Sequence, residues 1–166
     1  MHRISAPVML ALVAGVALAS PDPCALVKAA DIHAITAGAP AGPGELTKQP
    51  ELGSATCSYR WGPGANAASG RFNLHVTVSD VSKTYPGTDR ETLVQGLLAE
   101  TKKPGTTAVV IPAVGSAAIF KSDAPIRANT TALVKGMFLQ VDLDGPDGRA
   151  KKDQVIALLK VIAARL

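Results

Sequence analysis

Hydrophobic and polar residues alternate with period two along two neighbouring stretches of this chain. In the first, Ala55, Cys57, Tyr59 and Trp61 share one face and Thr56, Ser58 and Arg60 the other; in the second, Phe72, Leu74, Val76 and Val78 alternate with Asn73, His75, Thr77 and Ser79. A strand sends successive side chains to opposite faces, so both stretches read as half-buried strands. The glycine- and proline-rich run over 62–70 reads as a long hairpin connection, which makes the pair antiparallel with one face to solvent. A tighter hairpin is predicted over 131–143, with Met137, Leu139, Val141 and Leu143 inward and Lys135-Gly136 at the turn. Residues 109–115 read as an apolar link into a short strand over 117–121. Residues 39–53 read as a loop carrying a short edge strand near Leu46.

Where the period changes to that of a helix, three segments stand out. Pro23 suits a first helical turn and Asp22 a cap, with Leu26, Ala29, Ile32 and Ile35 at helical spacing and Gly38 closing the segment, which predicts a helix over 23–37. Thr88-Asp89-Arg90-Glu91 has the form of a capping box, followed by an apolar stripe of Leu93, Val94, Leu97 and Leu98 up to about Lys102, with Pro104-Gly105 as the stop. After the turn Asp144-Gly145-Pro146-Asp147-Gly148, a last helix carries Val155, Leu158, Leu159, Ile162 and Leu166 on one face, and Lys160 and Arg165 near its C-terminus. The order αββαβββα predicts an α+β fold: a mostly antiparallel sheet of about five strands flanked by three helices, with one disulfide. No residue pattern repeats strongly enough to indicate duplication.

Composition fits this picture. The chain has 166 residues, 47% hydrophobic and 18% charged, with 15 Gly and 12 Pro, which reads as one folded domain with many turns. Aromatic residues make up 4%, so the core must be aliphatic. At its start, Met1-His2-Arg3, an apolar run from Val8 to Ala19 and the small-residue site Ala17-Leu18-Ala19 form a secretory signal peptide over 1–19, cut before Ser20. The run is shorter than the roughly 20 residues a transmembrane helix needs. Cys24 follows Pro21-Asp22-Pro23, which excludes a lipid-attachment signal, so residues 20–166 are expected as one soluble exported domain with no stable membrane anchor. In an oxidising compartment the two cysteines, Cys24 and Cys57, read as a disulfide closing a loop of about 33 residues, a contribution of about 3–4 kcal/mol. The formal charge of +4 is scattered, without the basic run a nucleic-acid surface needs, so no nucleic-acid partner is expected.

The chain carries little that marks catalysis. It has no Gly-x-Ser-x-Gly, no Ser-x-x-Lys, no dinucleotide or P-loop glycine pattern, and no histidine adjacent in sequence to a plausible nucleophile. His33 and His75 read as surface residues, and no cofactor or metal is expected. Asp142, Asp144 and Asp147, interleaved with glycines, are the most cation-like constellation, yet the spacing departs from a calcium loop and a strand end followed by a turn accounts for the same residues. Arg60, Asn73, His75 and Thr77 share the outward faces of the first two long strands. They are the candidate binding face.

Asp22-Pro23-Cys24-Ala25-Leu26, the helix ending at Gly38, Cys57-Ser58-Tyr59, the segment Pro112-Ala113-Val114-Gly115-Ser116-Ala117-Ala118 and the closing hairpin plus helix resemble a group of small exported bacterial domains of unknown function. Many of that group are actinobacterial lipoproteins with an N-terminal Asp-Pro-Cys-x-Leu-Leu. The resemblance implies the Cys24–Cys57 pairing and an α/β/α sandwich of the PsbP-like kind. It brings no catalytic residues, and this chain departs from the group at the absent lipobox and at Ala113 and Ser116. The expected function is that of a non-enzymatic periplasmic or secreted protein binding an envelope component or partner protein. The alternatives are a cell-wall or extracellular hydrolase using unidentified carboxylates, or an inhibitor of a secreted enzyme.

Overall fold

The computed structural model describes residues 21–166. The expected signal peptide over 1–19 lies outside the described residues. Five helices and one antiparallel sheet of seven strands make up the rest, so the fold is α+β as expected, but five strands and three helices were too few. The strands are β1 (Glu45–Gln49), β2 (Ser54–Trp61), β3 (Phe72–Asp80), β4 (Val109–Val110), β5 (Ala117–Lys121), β6 (Arg127–Val134) and β7 (Met137–Asp144), and the sheet order is β1-β2-β3-β7-β6-β5-β4. The two strands beyond five are both edges. β1 is the edge strand expected near Leu46, exposed at all five positions, whereas β4, in the segment expected as an apolar link, has two residues, paired with Phe120 and Ile119, too few to show a period.

The expected helix over 23–37 is two helices, α1 (Pro23–Leu26) and α2 (Ala29–Thr36). Val27 between them is extended, at φ −96° and ψ 118°. Each half is capped by its own carboxylate: Asp22 accepts from the Cys24 amide and Asp31 from the Lys28 amide, both at 2.8 Å. Apolar spacing alone does not reveal such a break, because both halves still face one core. A short α3 (Val81–Thr84) follows β3 directly, capped by Asp80. In α4 (Arg90–Ala99) the cap is Asp89, which accepts from the amide and hydroxyl of Thr92, rather than the expected Thr88; the Glu91 carboxylate accepts from Gln95 instead of reaching back. The chain closes with α5 (Lys152–Arg165).

One face of the sheet holds the core. Leu74, Val76 and Val78 of β3 and Leu139, Val141 and Leu143 of β7 are fully buried there, under Val155, Leu159 and Ile162 of α5 and beside Ile35 of α2. The Cys24–Cys57 disulfide fastens α1 to the centre of β2, with Cα atoms 5.1 Å apart. Arg165 fastens the other end: it hydrogen-bonds the Asp31 carboxylate of α2 and donates to the Leu26 carbonyl at 2.6 Å. The aliphatic core expected from composition is present, with Trp61 stacked on Phe72 at one end, ring centroids 5.2 Å apart. No helix among the described residues is long and apolar enough to cross a membrane.

Candidate functional site

The second face of the sheet has a dual character set by strand register. Under α4, β5 is apolar on both sides, so Ala117 and Ile119 are buried there together with Leu133 of β6. α4 packs over that strip, while no residue of the helix is fully buried. Away from α4 the same face is polar in successive cross-strand rows. Thr56 of β2 and Thr77 of β3 share a hydroxyl hydrogen bond at 2.9 Å, and Ser54 accepts from Ser79 at 3.0 Å. The next row runs Glu45, Ser58, His75, Asp142, Asn129 and Lys121 across six strands. Within it, Ser58 Oγ stands 2.9 Å from His75 Nδ1, and Asn129 donates to the Asp142 carboxylate. Burial raises the Asp142 carboxyl above the ordinary range, opposed by the Asn129 hydrogen bond and by the nearby imidazole.

The four residues expected as a binding face do share it. Arg60 is tied to Glu45 of β1, N to O 3.2 Å, His75 to Ser58 and Thr77 to Thr56; Asn73 sits between Arg60 and Asp144 in register. The row adds what sequence spacing alone did not bring together: a serine beside His75, from a strand 17 positions away, with a carboxylate opposite. Catalysis through this line would need amides free to hold an oxyanion. β2 and β3 are paired on both sides, so the amides of Ser58 and His75 belong to the ladder. The Asp142, Asp144 and Asp147 turn does not gather as a cation loop. Asp142 accepts from Asn129 and Asp144 pairs with Arg127 at 2.7 Å, and no group of three His, Cys, Asp or Glu side chains among the described residues could hold a metal.

Where α4 and the polar face meet, the sheet and helix leave a groove of about 330 Å³. Its floor is Ser79, Thr131, Phe138 and Gln140; its walls include Tyr85, Thr92, Leu93, Gly96 and Leu97. Tyr85 meets Phe138 edge-on, with ring centroids 5.6 Å apart, and remains 47% exposed. Gly96 lines the groove without a side chain, and a Cβ placed there would meet nothing within 4 Å. In the sequence the glycine inside an otherwise apolar helical stripe marks a gap in the helix surface but not what the gap faces. An aromatic pair, the hydroxyls of Ser79, Thr84, Thr92 and Thr131, the Gln140 amide and the Glu100 carboxylate in one concavity suit a small ligand with apolar and hydroxylated surfaces. Trp61 lies on the opposite, core-facing side and takes no part in it. No family model, no curated protein and no solved structure matches this chain.

Proposed function

We propose that this chain is a non-enzymatic exported binding module that takes an amphipathic, hydroxyl-bearing envelope component in the groove beneath α4. The groove carries the reading: aromatic, hydroxyl and amide side chains converge at one concavity that is open to solvent, and Gly96 puts no side chain into it. Export fits the Cys24–Cys57 disulfide, since such bonds persist in oxidising compartments. The polar rows through Thr56, Thr77, Ser58 and His75 extend the groove's floor outward, so a longer ligand would have hydroxyls and an imidazole to meet beyond Gln140. Titration with monomeric octyl glucoside, followed by amide NMR, tests the reading. Saturable shifts at Tyr85, Gly96, Phe138 and Gln140 are expected, and their absence would sink it.

A second reading, a hydrolase, rests on the Ser58–His75 contact with Asp142 opposite. The commitment of the neighbouring strand amides to the ladder weighs against it. Turnover of generic esters that disappears with Ser58→Ala would establish it.

A further inference from the structure

We infer that the cleft at the start of α4 binds a phosphoryl group, and that this group is the anionic end of the ligand whose body lies in the groove. The second half rests on the reading of the groove; the first half stands without it. The cleft, about 590 Å³, lies between the start of α3, the start of α4 and the β6–β7 turn. Lys83, Arg90 and Lys135 line it from these three elements, against a single carboxylate, Asp80. None of the three cations forms an ion pair among the described residues, whose pairs use Arg60, Lys103, Lys121, Arg127 and Arg165.

Asp80 offsets one of the three charges, acting on Lys83 beside it. Its Oδ1 accepts from the Ser82 amide at 2.8 Å and the Ser82 hydroxyl at 2.7 Å, bonds that cap α3. The cleft is left with an excess of two positive charges. The hairpin turn sets the Lys135 backbone, where it and Gly136 take the left-handed conformation at φ 49° and φ 80°, and its side chain lines the cleft. Arg90 is held by Ser116, whose hydroxyl accepts from Nε at 3.0 Å and also from Nη2, so the rest of its guanidinium fork remains to donate.

A phosphoryl group fits this lining better than a carboxylate. It carries nearly two charges and three acceptor oxygens, and cations from three directions, with Arg90 as a fork and the Thr88 side chain alongside, can meet them together. The wall of the cleft is apolar, with Val81, Leu133 and Met137, and Leu93 lines both the cleft and the groove. One ligand can therefore place its anion by Arg90 and its body along α4.

Four probes separate the parts by amide NMR at constant ionic strength: inorganic phosphate for the cleft, octyl glucoside for the groove, octyl phosphate for both, and phosphatidylglycerol vesicles for a bilayer source. Phosphate should give saturable shifts at Lys83, Thr88, Arg90 and Lys135, and octyl phosphate should bind about tenfold tighter than phosphate. The double variant Lys83→Gln/Lys135→Gln should weaken phosphate about tenfold and leave octyl glucoside unchanged. No saturable phosphate shift, or one the double variant retains, overturns the cleft site. Octyl phosphate binding no tighter than phosphate overturns the joined ligand. Loss of octyl glucoside binding alone overturns only the groove. Capture by vesicles that octyl phosphate displaces would assign the phosphoryl group to a lipid headgroup; octyl phosphate binding without vesicle capture assigns it to a soluble ligand.

Discussion

Ser58 and His75 face each other across the β2–β3 pair, with the serine oxygen 2.9 Å from the imidazole Nδ1. The contact has the parts of an activated nucleophile and lacks its surroundings, because the strand amides beside it are committed to the ladder. Ser58 is therefore expected to stay unlabelled by a fluorophosphonate probe, as read by intact-protein mass spectrometry. Labelling that vanishes in Ser58→Ala would move the protein among the serine hydrolases.

The disulfide joins residues 33 positions apart and ties α1 to β2, the strand next to the β1 edge of the sheet. Replacing both cysteines with alanine should lower stability by about 3–4 kcal/mol, chiefly by freeing the unfolded chain. Urea unfolding of the double variant beside the oxidised protein measures this. A loss below about 1 kcal/mol would mean that α1 is held by its other contacts.

Two aspartates give stability opposite pH slopes. The hydrogen bond from Arg165, aided by the Lys28 amide, holds the Asp31 carboxyl below its ordinary value, so its contribution is present above the unfolded pKa near 4 and lost as pH falls through the folded one. Burial raises Asp142, so stability falls as pH rises from the unfolded value to the folded one and then levels off. Asp31→Asn should cost about 1–3 kcal/mol at pH 7 and flatten the acid limb. Asp142→Asn should be the more stable protein at pH 7, with no advantage at pH 3. Denaturation curves between those pH values check both signs.

Ala113 adopts φ 60°, a left-handed conformation that costs a residue with a Cβ about 1–2 kcal/mol. Ala113→Gly should raise stability by about 0.5–1 kcal/mol once the freer unfolded chain is counted. Thermal unfolding decides it, and a lower melting temperature would contradict the strain.

The parts of the fold that bury one face were legible in the sequence. Strict alternation placed Cys57, Tyr59, Leu74, Val76, Leu139 and Val141 on the core side, and the helical stripe of Val155, Leu158, Leu159 and Ile162 placed α5. Strands that bury no face leave no period: β1, exposed throughout, showed only as a short edge strand near Leu46, and β4, two residues at an edge, did not show at all. The break at Val27 was hidden because α1 and α2 pack on the same core. The outward face was legible strand by strand, since Arg60, Asn73, His75 and Thr77 were placed on it. The groove was not, because it depends on where α4 lies across β5 to β7, and no local pattern encodes that crossing.

If ligand binds in the groove beneath α4, a side chain at Gly96 should block it. Gly96→Leu puts a side chain into the open space and replaces a glycine inside a helix, so the variant should be more stable by about 0.5–1 kcal/mol. The wild-type protein should bind octyl glucoside saturably, with amide shifts centred on Tyr85, Phe138 and Gln140, and the stable variant should lose that binding. Equal binding by Gly96→Leu, or no saturable binding by the wild type, would contradict the account.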